Sequence, residues 1–534
     1  MIRCLVTCAC TLIIQFTEAQ VSLPDIFTEN MVLQRNAPIH FWGKGNPNTK
    51  VEIKFLNKTR ETTVSGDSTW NIYFEKKKAT KVAQKLQISH GLEKIVLQNI
   101  LIGDVWLCLG QSNMEWPMEN EIYFNEEMKN SDLPKLRFFN PTYSGKNLFG
   151  KSFNDSIMER LNEENFYNGR WEYSSEKSIR TMSAVGYYFG KHVMESEKVP
   201  IGVINLSIGG APIETFISPD IFRRLPSFKS KVQGNWLTNE SLPIWVRERG
   251  YQNVGDSIGV VNDNMGPNHA FKPGFAFTSG ILPILPMPIK GIIWYQGESN
   301  SARGHAYREV FPLMIETWRR DWKQGDFSFY WVQLADFMGE DEDPKDDNWP
   351  ELREAQTMTL DKLPNVGQAV IIDVGEGRDI HPRNKHDVGN RLARWALARH
   401  YQKKGMVYSG PLYKAMKVEG GRIRLAFAHS DGLKSRDGQD LNEFKIAGSD
   451  GQFVDAKAKI EGKFVLVSAE SIKSPTQVRF GWHKVANPNL VNKALLPASP
   501  FQTNNWSGGT AEVFVSSDPA KASSGKTTTG SKKK

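Results

Sequence analysis

A hydrolytic serine needs a sharp turn after a strand, where backbone N–H groups at a helix start can meet a developing oxyanion. Two serines compete for that position. Gly255-Asp-Ser257-Ile-Gly259 matches the Gly-x-Ser-x-Gly elbow. It follows the polar stretch Val246–Asn253, however, and so reads as a surface loop. Ser112 follows the apolar run Ile102–Leu109 and a glycine, Gly110, and precedes Asn-Met-Glu, so strand, turn and helix start fall in the required order. Ser112-Asn-Met-Glu115 is equally a capping-box sequence, in which the serine only terminates a helix. This stretch alone leaves both readings open.

Two more constellations end buried runs. Gly209-Gly210 follows Gly202–Leu206, and Trp294-Tyr-Gln-Gly-Glu-Ser-Asn300 closes the run that starts at Ile289. Open parallel sheets bind ligands beyond the carboxyl ends of their strands, so these ends and Ser112 point to one crevice. The base for such a serine is a histidine oriented by a carboxylate. Among ten histidines, His381 in Asp379-Ile-His381-Pro is the best placed, between the apolar run Val366–Val374 and a helix opening near Lys385.

The elements that must position these residues follow from periodicity. From about residue 20 to 100, short β-prone runs separated by turns predict an N-terminal β module. From 101 to 405, unalternating apolar runs separated by helical patterns such as Tyr307–Trp322 and Lys385–His400 predict a parallel sheet covered on both faces, interrupted by insertions at about 141–180 and 219–275. From 406 to 515 the β texture returns, in a second module. Residues 516–534 hold no large apolar side chain and predict a disordered, lysine-rich tail.

Composition narrows the class further. At 40% hydrophobic and 24% charged residues, 534 residues make an ordinary globular chain with more than one structural unit. Half of its +8 charge is carried by that final stretch, where five lysines face a single acid, so a basic face for nucleic acid is not supported. Three of the four cysteines fall in residues 1–19, which read as a signal peptide: Met-Ile-Arg, an apolar run of about a dozen residues, then Thr17-Glu-Ala19. That run is too short to span a bilayer, which takes about 20 helical residues. The mature chain is thus expected to be exported, secreted or periplasmic, with one cysteine, Cys108, inside the strand before Ser112.

Gly110-Gln-Ser-Asn-Met114, Gly209-Gly-Ala-Pro-Ile-Glu214, Trp294–Asn300 and Asp379-Ile-His-Pro-Arg-Asn-Lys385 together resemble the sequence blocks of the sialate O-acetylesterase family within the SGNH hydrolases. Met31-Val-Leu-Gln-Arg35, Ser409-Gly-Pro-Leu-Tyr413 and Leu496-Pro-Ala-Ser-Pro-Phe501 are similar to that family too, so the likeness covers residues 22–503. It implies a flavodoxin-like α/β/α catalytic domain flanked by small β-sandwich-like modules. It also implies a carboxylic ester hydrolase that removes acetyl groups from sugar hydroxyls, with no metal or organic cofactor, lysosomal or extracellular if eukaryotic.

Carried onto this chain, Ser112 is the nucleophile, His381 the base and Asp379 its orienter, with Asp373 as the fallback. The oxyanion is assigned to the N–H of Ser112, an N–H of Gly209 or Gly210, and the side-chain amide of Gln296. Gln111, Asn113, Trp294, Glu298 and Arg383 are candidates for touching the sugar, Arg383 for a sialic acid carboxylate, and Trp116, Trp294 and Tyr295 for stacking on a pyranose. This sequence departs from the wider superfamily at Arg378, where an Asp usually stands three residues before the histidine, and at Gln296, where Asn is usual. The partner implied is an O-acetylated sialic acid, or alternatively acetylated xylan or another plant or algal glycan. A reading of another class is a secreted glycan-binding protein whose hydrolase core no longer turns over.

Overall fold

The computed structural model describes residues 21–255, 263–340 and 347–504. The signal-peptide reading, Ser257 and the lysine-rich tail lie outside them.

One strand, β1 (Glu93–Gly110), is the spine of the molecule. Its first residues alternate between exposed and half-buried and pair antiparallel with Thr80–His90; from Ile100 onward every residue is buried. The change follows the sequence, which passes from alternating Glu-Lys-Ile-Val-Leu-Gln to a continuous apolar run suited to a sheet covered on both sides. The boundary expected at residue 100 therefore falls within a single strand, and the N-terminal strands share one hydrophobic core with the catalytic sheet.

The remaining strands of that sheet are β2 (Leu133–Phe139), β3 (Trp171–Ser174), β4 (Ile201–Asn205), β5 (Gly291–Tyr295), β6 (Ser328–Val332) and β7 (Val366–Ala369). Their order is β3-β2-β4-β1-β5-β6-β7, parallel except for β3. Leaving β1, the chain builds β2, β3 and β4 on one side and then β5 to β7 on the other, so the topology reverses at β1. Four long helices cover it: α1 (Ala184–Glu197), α2 (Gly304–Trp322), α3 (Asn348–Lys362) and α4 (Lys385–Trp395). Successive β6 residues face opposite ways: the Tyr330 ring lies 6.3 Å from Trp395 of α4, and the Trp331 ring 5.3 Å from Phe311 of α2. This is the expected three-layer α/β/α arrangement. Cys108 is buried where β1 meets α1, and burial pushes its thiol well up, so it is an inert core residue.

The apolar run Val366–Val374 is a strand only as far as Ala369. Val370 and Ile372 leave the sheet to pack on Ala486, so the run owes its length to a contact with the C-terminal segment. That segment has its own core, centred on Ile423, Leu425, Val465 and Phe480, between two antiparallel sheets. It docks through fully buried Arg353 of α3, which donates to the carbonyls of His483 and Lys484. Among the described residues no helix is long and apolar enough to cross a membrane.

Asp104 of β1 ties the layers together. Its buried carboxylate accepts from Arg35 at 2.7 and 2.9 Å, from Gln34 at 3.0 Å and from the Tyr401 hydroxyl at 2.9 Å. Truncating one partner of a buried pair strands the other, so Asp104→Ala is expected to cost about 3–5 kcal/mol. Urea-induced unfolding measures this, and an unchanged midpoint would contradict it.

Candidate active site

Three strand ends are stitched together at the reversal point. Gln111 N–H donates to Tyr295 O at 3.0 Å, and Ile208 N–H to Gly110 O at 3.1 Å, which ties β1 to β5 and β4 beyond their last pairs. Gly110 has φ +145°, and a Cβ there would sit 2.1 Å from Tyr295 O, so glycine alone allows the turn. Ser112 opens the short helix Ser112–Glu115, and Gln111 occupies the cap position without any side-chain cap bond. The capping box is therefore not formed. The Ser112 Oγ instead lies 2.8 Å from His381 Nε2.

His381 is held mainly from the side of Ser112. Its ring stacks on Trp116 with centroids 5.3 Å apart. The adjacent Ile380 carbonyl accepts from Asn113 Nδ2 at 2.8 Å, and the same amide nitrogen donates to Glu298 Oε1 at 2.6 Å. Asn113 Oδ1 accepts from Lys385 Nζ at 2.5 Å, and that ammonium lies over the rings of Trp116 and Tyr295. The expected Asp379 contact is not a hydrogen bond. Its Oδ1 is 3.9 Å from Nδ1, the side chain is 53% exposed, and the same oxygen accepts the His381 backbone N–H at 2.8 Å. Asp373 is no substitute, because both its oxygens are taken by Arg391 at 2.5 and 2.9 Å.

The charges follow from this packing. Burial, then the Lys385 cation, push the His381 imidazole below its ordinary range, while Asp379 works the other way. Burial brings Lys385 itself down to about 7 against the pull of Glu298 and other carboxylates, and burial raises Glu298.

Of the four donors assigned to the oxyanion, two are unspent. Ser112 N–H opens a helix and has no intrahelical partner, and Gly210 N–H finds none among the described residues. The other two are committed. Gly209 N–H donates to the Tyr143 hydroxyl at 3.2 Å, which donates in turn to Glu115. Gln296, fully buried, gives Nε2 to Asn300 Oδ1 at 2.7 Å and to the Ala211 carbonyl at 3.4 Å, and takes the Tyr307 hydroxyl on Oε1 at 2.9 Å, so in this arrangement its amide is spent on the surrounding loops.

The sugar-contact candidates divide similarly. Gln111 and Asn113 are buried; the Gln111 Oε1 accepts the Ser299 N–H at 3.1 Å, so both brace loops. Trp294 is 0% exposed and packs against Phe216, Phe311 and Trp318; with Tyr295 equally buried, neither can stack on a sugar. Trp116 has His381 against it. Glu298 is buried but keeps Oε2 without a partner. Arg383 is exposed, touching the Asn120 carbonyl through Nε at 3.3 Å.

Sequence reasoning passed over Lys385 and Tyr143. A lysine opening a helix opposes the helix dipole, and that mismatch was a readable signal for Lys385. Tyr143 lies in a weakly patterned insertion that offered none.

A general base works unprotonated. With His381 assigned as that base, its depressed imidazole is expected to keep activity to a lower pH than an ordinary imidazole, near 6.5, would allow. Below that pH Lys385 is cationic, so Lys385→Met removes a charge that opposes protonation. The acid limb of kcat/KM should then move to higher pH; a limb that stays, or moves lower, would contradict the assignment.

A family model described as "Carbohydrate esterase, sialic acid-specific acetylesterase" matches residues 281–398. The chain is 30% identical to the sialate O-acetylesterase of Pongo abelii over 422 residues, 73% of each chain. It is 29% identical to that of Homo sapiens over the same length and shares. A solved carbohydrate acetylesterase from Xanthomonas citri superimposes with a TM-score of 0.76 at 31% identity, covering 91% of this chain and 100% of that one.

Proposed function

The chain belongs to the sialate O-acetylesterase family, and from that premise we propose an exported carbohydrate O-acetylesterase that works through an acetyl-Ser112 intermediate. The observation that carries this reading is the 2.8 Å contact of Ser112 Oγ with His381 Nε2 at the carboxyl end of the sheet's central strand. Ser112 attacks the acetyl carbonyl carbon while His381 Nε2 takes its proton. The tetrahedral oxyanion rests on the N–H groups of Ser112 and Gly210. As the intermediate collapses, the C–O bond to the sugar breaks, and the departing alkoxide takes the proton from His381. Water, deprotonated by the same imidazole, then attacks the acetyl-serine, releasing acetate and restoring Ser112. Asp379 acts as a charge 3.9 Å from the imidazolium and as an anchor for the His381 backbone, and Asn113 and Trp116 set the ring's orientation.

The substrate is an O-acetylated sugar. Exposed Arg383, on the loop of His381, suits a sialic acid carboxylate. The likeness to the Xanthomonas citri carbohydrate acetylesterase supports a second reading, a neutral acetylated glycan such as xylan. Export rests on the leader-like sequence of residues 1–19.

Ser112→Ala is expected to lower p-nitrophenyl acetate hydrolysis by more than about 10³-fold; equal rates in parent and variant would remove the nucleophile assignment. Acetate release from O-acetylated sialic acid and from acetylated xylan, compared with the same protein, separates the two substrates. Arg383→Ala should raise KM for the sialic acid ester alone if the carboxylate reading holds.

A further inference from the structure

Trp116, Trp294 and Tyr295 are spent on packing, whereas one tryptophan of the second insertion keeps part of its ring open to solvent. Trp245, in the helix Ile244–Val254 of the second insertion, is 38% exposed; every other tryptophan among the described residues is buried or half-buried. Its indole N–H has no partner there either, whereas Trp236 donates to Pro267 O and Trp322 to Met287 O.

Its position relates it to the reacting atoms. The Trp245 ring meets Phe271 edge-on, with centroids 5.7 Å apart. Phe271 in turn lies against Gly210, where an added Cβ would come 3.1 Å from its Cζ. Trp245 thus stands one ring beyond the loop that offers Gly210 N–H to the oxyanion. The helix is also firmly seated. Asn253 Nδ2 donates to the Leu148 and Lys151 carbonyls, and Gly250 lies so close to Trp236 that a Cβ there would be 2.0 Å from its ring. Val246, Gly250 and Val254 of this helix turn inward. An indole combines a flat apolar face with one N–H donor, which matches a pyranose, with its C–H face and rim of hydroxyls.

We propose that Trp245, backed by Phe271, forms a subsite for a second sugar ring, adjoining the one whose acetyl group is removed, so that the enzyme prefers acetylated oligosaccharides to acetylated monosaccharides. This rests on the carbohydrate acetylesterase reading above. The indole face stacks on the neighbouring pyranose and its N–H donates to a ring hydroxyl, while the acetyl carbonyl lies at Ser112.

The test compares parent, Trp245→Ala and Trp245→Phe on p-nitrophenyl acetate, an acetylated xylose and an acetylated xylo-oligosaccharide, with O-acetylated sialic acid and its oligosaccharide as a second pair. On whichever pair is turned over, the alanine variant should lower kcat/KM for the oligosaccharide about tenfold relative to p-nitrophenyl acetate, mostly through KM. Phenylalanine should restore part of it. An unchanged ratio, or an equal loss on every substrate, would overturn the subsite while leaving the esterase reading intact. If the parent releases acetate from no sugar ester, both fall together.

Discussion

The Asn113 side chain makes its hydrogen bonds to three different parts of the site: Glu298 on the loop after β5, the Ile380 carbonyl beside His381, and Lys385 at the start of α4. Because Asn113 directly follows Ser112, the short helix of Ser112 and the loop of His381, 269 residues apart in sequence, are registered against each other through one amide. Hydrogen bonds to charged groups are stronger than neutral ones, and in a buried setting they are strengthened again. The same burial makes every partner dependent on the others. Without Asn113, the Glu298 carboxylate and the Lys385 ammonium would lose their common ligand in a place that solvates neither.

A second buried network explains why Gln296 is occupied. Its amide belongs to a chain running from the Tyr307 hydroxyl through Gln296 and Asn300 to Glu214. Glu214 would be driven up by burial, but Lys231 at 2.6 Å and Arg303 at 2.9 Å hold its carboxyl well below the usual range. Asn300 also accepts Ile213 N–H, so this charge cluster fixes the loop after Gly210 against the loop after β5. Gln296 contributes to the site's geometry through that brace.

Much of this architecture was legible because it follows from periodicity and turn chemistry. Continuous apolar runs marked β1, β4 and β5, and Gly110 after β1 and Gly210 after β4 take up real left-handed turns. What escaped the sequence reading depended on direction. Trp294 and Tyr295 looked like sugar platforms because they adjoin a polar cluster, but they are the last strand residues, and both side chains turn into the core. Asp379 stands two residues before His381 and so looked like its orienting acid, yet its carboxylate satisfies a backbone N–H two residues on, a local bond that aspartate forms readily. The strand expected to continue to Val374 ends early because a distant segment, around Ala486, competes for its apolar side chains.

The central claim is that His381 is oriented by Trp116 and by Asn113 acting on its neighbour Ile380, with Asp379 contributing only a half-exposed charge and a backbone anchor. Asparagine in place of Asp379 keeps the acceptor for the His381 N–H and removes only the charge. An exposed ion pair is worth up to about 1 kcal/mol, so Asp379→Asn should lower kcat/KM by less than about tenfold. A loss near 10⁴-fold, as expected when a triad acid holds the imidazole tautomer directly, would contradict the account.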